Sequence, residues 1–264
     1  MTTENIVLSE INSLPVYQFD NLLKFKAITH GITTREGGKS EGNYSALNLS
    51  YMVNDSVDTV RYNRKFVAEA FGVSLTELKI PRQVHSNQVE IVDKNNSKDL
   101  VADAIITTDN NVVLAVLLAD CVPLIIYDTK NNVVAAVHAG WRGTVANITT
   151  ATIREMQQQY STDPNNIVVG IGPSISPNVY EVGYEVKEAA DLAFGKNHNT
   201  IITKGEKYFF DLWRANELQL IRCGVPKESI EIAGICTYKN TDTFFSARKT
   251  KPVTGRFAAV VKLN

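Results

Sequence analysis

The chain has 264 residues, long enough to bury a sizeable core, with 44% apolar and 21% charged residues, an ordinary globular balance. Its 27 Lys and Arg against 28 Asp and Glu leave a formal charge of -1 and no basic run, which speaks against a nucleic-acid-binding surface. Three cysteines, 121, 223 and 236, are too few for a disulfide framework and suit a reducing compartment.

The opening MTTENIVLSE has neither the basic stretch nor the apolar run of a signal peptide, so a cytoplasmic location is expected. Residues 7–35 predict an irregular start with a strand or two around 25–30. The stretch TTREGGKSEGNYSALN (33–48) reads as a glycine-rich surface loop, a candidate lid or binding loop. Asp55 or Ser56 can cap a helix running to Phe71 and stopping at Gly72; its apolar stripe of Val57, Val60, Val67 and Phe71 is interrupted at Asn63 and Arg64. Strands are expected over 78–84 and 89–93, then a polar turn, KNNSKD, at 94–99.

The middle of the chain is sheet: DAIIT (103–107), VVLAVLL (112–118), VPLIIYD (122–128) and VVAAVH (133–138). These runs are apolar on nearly every residue, so they should be covered on both faces. The apolar region 112–127 is interrupted by Asp120 and contains Pro123, which argues against a membrane span. Helices are expected over 144–160, 182–194 and 211–223, the last two closed by Gly195 and Gly224. Strands are expected at 167–173, 230–236, 244–248 and 257–263. The fold class is α+β: a single domain over 1–264 with a mixed, mainly antiparallel β core flanked by helices.

The segment DTKNN joins two of these strands as a hairpin. A two-residue turn at Thr129 and Lys130 would put Cys121 directly opposite His138, with Cβ atoms about 4.5–5.5 Å apart. A four-residue loop would shift the register and leave the two on adjacent levels. A thiolate and an imidazole so placed suit a metal such as zinc, and equally a cysteine nucleophile with a histidine base. Asp120 is a carboxylate beside them, able to orient a ligand or move a proton. After His138, AGWRGT leads into a helix whose free N–H groups are expected at Gly143 to Val145, an anion-binding arrangement with Arg142 as a bidentate donor.

In order, NRKFVAEAFG, RQVHSNQV, ADAIITT, ADCVPLIIYD, VAAVHAGWRGT, GPSISPNVYEVG, DLWRANELQL, CTYKNTDTFFSARK and TGRFAAVV resemble the YfiH family. That family is also called the multicopper polyphenol oxidase or laccase-domain family, and now the purine nucleoside phosphorylase family. The resemblance covers about residues 30–261. It implies zinc ligands at His85, Cys121 and His138, and a cytoplasmic α/β protein. It also implies phosphorolysis of adenosine, guanosine, inosine or methylthioadenosine, and deamination of adenosine to inosine. The partners implied are small molecules, purine nucleosides and phosphate, with homo-oligomer formation left open.

For phosphorolysis, Arg142, Arg35 and Arg248 are candidates for holding the anion, and Asn48 is a candidate polar contact. Ser174 stands where relatives often carry Cys, which, with only four histidines and three cysteines in the chain, favours one zinc over a multicopper centre. Copper-dependent phenol oxidation, a Cys121/His138 hydrolase and a zinc-stabilised structural protein remain as alternatives. In the last, Cys223 or Cys236 would close the site as a fourth ligand.

Overall fold

The structure, a computed structural model, describes residues 6–95, 100–195, 198–251 and 253–264. The first five residues of the opening segment and most of the expected 94–99 turn lie outside them. Two six-stranded sheets form the centre. The first runs Ile6–Ile11, Leu14–Phe19, Ile28–Thr33, Phe257–Leu263, Val113–Leu118, Leu78–Lys79; the second runs Ile230–Ile232, Ile167–Ile171, Val122–Asp128, Val133–Ala139, Ala104–Thr107, Val89–Ile91. Pairing is antiparallel except at Leu78–Lys79 and at the two edges of the second sheet. The α+β expectation and its mixed, mainly antiparallel core hold.

Alternation along each strand explains why the central runs are apolar throughout. Ile125, Tyr127, Val134 and Ala136 of the second sheet pack with Leu114, Val116, Phe257 and Ala259 of the first in one core layer between the sheets. The opposite residues, Leu124, Ile126, Val133, Ala135 and Val137, pack under helices Ile148–Tyr160, Tyr184–Phe194 and Leu212–Arg222. Helix Val57–Ala70 covers the outer face of the first sheet with Leu47 and Leu49. Among the described residues no helix is long and apolar enough to cross a membrane.

Several boundaries differ from expectation for local reasons. The 78–84 strand stops at Lys79, two residues before Pro81, whose ring nitrogen has no proton to donate to a ladder. The 144–160 helix is two helices, Trp141–Val145 and Ile148–Tyr160, broken where Asn147 takes φ +64°. The expected strand at 244–248 is not one. Phe244 and Phe245 are both fully buried, and Ser246 caps a short helix, Ala247–Thr250, by accepting from the Lys249 N–H. The hairpin strands Ile6–Ile11 and Leu14–Phe19, and the strands Ile201–Lys204 and Lys207–Phe210, were not expected.

The interruption in the first long helix has a purpose. Asn63 is fully buried, and its amide donates to Ser40 Oγ and the Ala46 and Asn48 carbonyls while accepting from Lys39 N–H. Arg64 Nε donates to the Leu49 carbonyl at 2.7 Å. The glycine-rich loop is therefore fastened to the helix by polar bonds.

One buried histidine makes the sandwich pH-sensitive. His30 Nε2 accepts from the Phe19 N–H at 2.9 Å, and burial lowers its pKa to about 4. The unfolded chain takes up a proton near pH 6.5 that the folded chain refuses until about pH 4, so His30's contribution is present above pH 6.5 and lost as pH falls through that window. The expected loss is about 3 kcal/mol. Urea unfolding of wild type and His30→Gln at pH 7 and pH 4.5 checks it: the difference between the two curves should change with pH, and a pH-independent difference contradicts it.

Candidate metal centre and adjoining cavity

His85, Cys121 and His138 offer donor atoms that all lie within 4.8 Å of one another, the group among the described residues that could hold a metal ion. Cys121 Sγ is 4.0 Å from His85 Nε2, and the two imidazoles meet edge to face, with centroids 4.8 Å apart. Neither Cys223 nor Cys236 joins them. Cys223 caps the C-terminus of helix Leu212–Arg222, and Cys236 Sγ accepts from the Ser176 N–H at 3.3 Å.

The hairpin brings the pair together in the longer-loop register. Asp128 pairs with Val133, leaving a four-residue loop, so His138 faces Pro123 rather than Cys121. Cys121 sits one step beyond the last pair, Val122 with Ala139, on the same inter-sheet side as His138. The space it enters exists because residue 140 is glycine. A Cβ there would stand 2.9 Å from the His85 ring and 3.1 Å from Cys121 Sγ.

Asp103, which sequence reading passed over as the first residue of DAIIT, organises the centre. It is fully buried. Its Oδ1 accepts hydrogen bonds from His138 Nδ1 at 2.8 Å and from the His85 N–H at 3.0 Å. Its Oδ2 takes the Ser86 N–H and hydroxyl and, at 3.3 Å, the Val84 N–H. With Nδ1 so engaged, His138 turns Nε2 toward the cluster. Burial pushes the Asp103 pKa up, but the bonds from His138 and Ser86 outweigh it and bring it down to about 2.

The charges of the centre are coupled. Burial raises the Cys121 pKa, yet the charges and hydrogen bonds of His138 and His85 bring it to about 6. Burial lowers the pKa of His138, and the neighbouring Cys121 and Asp103 raise it to about 9. Each of the two thus favours the charged form of the other. Two histidines and a thiolate are a donor set that suits zinc.

The other expected residues are dispersed around this group. Asp120, at φ +89°, accepts from Thr237 Oγ1 and from the Arg248 N–H, each at 2.6 Å. The Arg248 guanidinium donates to the Glu181 carbonyl and lies 4.9 Å from the Tyr180 ring. Arg142 is exposed over Trp141 at 4.4 Å. The helix N-terminus falls earlier than expected: Thr144 N–H is bonded to Gly140, so the leading N–H groups are those of 141–143, and Gly143 is packed against the Ser86 carbonyl. Arg35 donates to the Ser45 and Thr241 carbonyls, fastening the glycine-rich loop. The Asn48 amide is buried: it bonds Ser50 and Asp55, and its Oδ1 accepts from the Arg256 N–H.

A cavity of about 900 Å³ opens beside the three donors, with His85, Cys121 and His138 in its wall. Leu78, Ile80, Pro81, Leu100, Leu117 and Ala119 supply apolar surface, and Tyr51 and Met52 line it from the loop before the first long helix. Its charged lining among the described residues is entirely cationic: Arg64, Lys79, Arg82, Lys94 and Arg256. The arginines expected from sequence, Arg35, Arg142 and Arg248, are not in this lining. The available signals were the polar break at Arg64 in an apolar helix stripe, and Arg256 at the mouth of a buried strand.

Two outcomes test this geometry. Asp103→Asn replaces an acceptor with a donor facing N–H groups, and metal affinity should fall about 10–100-fold by competition with a chelator; unchanged affinity contradicts the role given to Asp103. In metal-stripped protein, alkylation of Cys121 should rise with a midpoint near pH 6, while Cys223, pushed up by burial, lags. A midpoint above 8 at Cys121 contradicts the coupling described.

Comparison with known proteins gives a consistent result. The family model described as multi-copper polyphenol oxidoreductase laccase matches residues 29–264. A purine nucleoside phosphorylase of Bacteroides thetaiotaomicron is 37% identical over 257 residues, covering 93% of this chain and 95% of its own. Purine nucleoside phosphorylase YlmD of Bacillus subtilis is 32% identical, covering 89% of this chain and 88% of its own. The crystal structures of YlmD from Geobacillus stearothermophilus and of the Bacillus licheniformis hypothetical protein YfiH superpose with TM-scores of 0.91 and 0.90 at 29% and 28% identity. Each covers 98% of this chain and 99% of the other. By sequence and by fold, this chain belongs to the YfiH/YlmD family, the family of the laccase-like multicopper oxidoreductase model.

Proposed function

We propose that the chain is a zinc-dependent purine nucleoside phosphorylase acting on adenosine, guanosine, inosine and methylthioadenosine, and that it also deaminates adenosine. The observation that carries this reading is the placement of His85, Cys121 and His138 in the wall of a cavity whose described charged lining is all cationic. A volume near 900 Å³ suits a nucleoside with phosphate beside it, within the range of about 300–1,000 Å³ of small-molecule sites. The relatives named as purine nucleoside phosphorylases support it.

When bound, zinc supplies Lewis acidity and lowers the pKa of water. The chain's own residues do the rest. His85, Cys121 and His138 hold the ion, with His138 fixed by Asp103. In phosphorolysis a phosphate oxygen bonds to C1′ as the C1′–N9 bond breaks. The electron pair leaves with the purine, which takes a proton, and the products are free base and pentose 1-phosphate. In deamination, adenosine and water give inosine and ammonia.

Asp120 is the carboxylate proposed to move protons, held by Thr237 and the Arg248 N–H. Arg248 and Asn48 are positioning residues, acting through Asp120 and Arg256. Arg142 and Gly143, expected as anion contacts, do not line this cavity, and Arg35 holds the loop. Copper oxidation of phenols is the weaker reading, because the donors among the described residues form one group of three.

Purified protein incubated with adenosine, with and without phosphate, tests the assignment by chromatography of the products. Adenine should appear only with phosphate and inosine without it. Both should fall at least about 100-fold in His85→Ala together with bound zinc. Full turnover in chelator with covalent labelling of Cys121 would instead establish a cysteine hydrolase.

A further inference from the structure

Two cations of the cavity wall differ from the rest in how they are held. Arg64 and Arg256 are half-buried, and both are tied to one residue, Leu49. Arg64 Nε donates to the Leu49 carbonyl at 2.7 Å, and the Leu49 N–H donates to the Arg256 carbonyl at 3.0 Å. Asn48 Oδ1 receives the Arg256 N–H, so the two sides of this short segment set both arginines.

Their guanidinium bonds go to neutral acceptors. Arg256 Nη1 donates to the Thr254 and Gly255 carbonyls, and Arg64 rests 4.1 Å over the Tyr51 ring. Among the described residues neither forms an ion pair with a carboxylate. Burial lowers the pKa of both, Arg64 to about 10, so both stay charged at neutral pH. A charge taken out of water without a counter-charge is costly, and carbonyl dipoles offset only part of it. An anionic ligand would supply that counter-charge. Two planar guanidinium forks suit a tetrahedral oxyanion that accepts several hydrogen bonds. Arg64 and Arg256 line the same cavity as His85, Cys121 and His138, and Arg256 stands close enough to Cys121 and Asp120 for their charges to act on it.

We propose that Arg64 and Arg256, set by Leu49 and Asn48, form the phosphate subsite of the cavity, binding inorganic phosphate or the phosphate group of a pentose 1-phosphate. This rests on the phosphorylase reading for its substrate and moves the anion site away from Arg35, Arg142 and Arg248. It also gives the buried Asn48 a purpose: it positions Arg256.

The test is calorimetric titration of zinc-loaded wild type, Arg64→Lys and Arg256→Lys with inorganic phosphate and, separately, ribose 1-phosphate. Lysine keeps the charge and loses the fork, so phosphate Kd should weaken about tenfold or more in each variant. Weakening for both ligands identifies a subsite shared by phosphate and product; weakening for inorganic phosphate alone restricts it to the free anion. Should a variant fail to fold, the arginine Nε–H signals of wild type followed by nuclear magnetic resonance decide. Phosphate should move those of Arg64 and Arg256, and movement confined to other arginines overturns the proposal. Wild-type Kd in both lysine variants overturns it as well, even if the protein turns over nucleosides. Phosphate binding through these arginines without nucleoside turnover leaves the subsite standing and removes the phosphorylase reading.

Discussion

The candidate site depends on one buried carboxylate. Asp103 has no contact with water and spends its two oxygens on five donors from two places in the chain: the His138 ring, and the backbone and hydroxyl groups of 84–86. One side chain thereby locks the ring of one candidate ligand and the backbone carrying another. A buried carboxylate with so many N–H and O–H partners is stable as an anion, and its charge in turn favours a protonated or metal-bound His138. The backbone repeats the tie, since the His138 N–H donates to the Asp103 carbonyl at 2.7 Å. The candidate metal centre and the register of the second sheet are thus one arrangement.

Around that tie the backbone accepts strain. His85 sits at φ +59° and Asp120 at φ +89°, a region that residues with side chains seldom occupy and that costs on the order of 1 kcal/mol or more each. Both are held there by identified bonds: His85 by its N–H to Asp103, and Asp120 by Thr237 and Arg248. The left-handed turn at Asp120 immediately precedes Cys121, on the sheet face where His138 lies. Gly140 completes the arrangement by leaving the space a side chain would take. Rigid strands thus supply position, while two strained loop residues supply direction.

Much of the fold was legible because burial leaves a pattern. Runs that are apolar on every residue, such as 122–128 and 133–138, announce strands covered on both sides, and the helix cap at Ser56 and stop at Gly72 mark a helix within a residue or two. What was hidden depends on contacts distant in sequence. The pairing of Cys121 and His138 could be approached from the hairpin, but the loop length could not be read, because Asp128 binds the turn at Lys130 and Asn131 in a way that several loop lengths permit. His85 came only from resemblance, since nothing local marks a loop histidine as a ligand. Asp103 looked like the edge of a strand until its five partners were assembled. Arg64 and Arg256 were not among the expected anion contacts, although a charge inside an apolar stripe or before a buried strand is a strong anomaly.

Three protein donors, and no fourth among the described residues, are placed to hold one metal ion beside the cavity. X-ray absorption at the zinc edge on the purified holoprotein measures this directly. The prediction is one ion per chain with a single sulfur scatterer at about 2.3 Å, two imidazole nitrogens at about 2.0 Å, and a remaining light-atom ligand from solvent. Two sulfurs would bring Cys223 or Cys236 into the shell and make the centre a structural clip, and no sulfur at all would remove Cys121 from it.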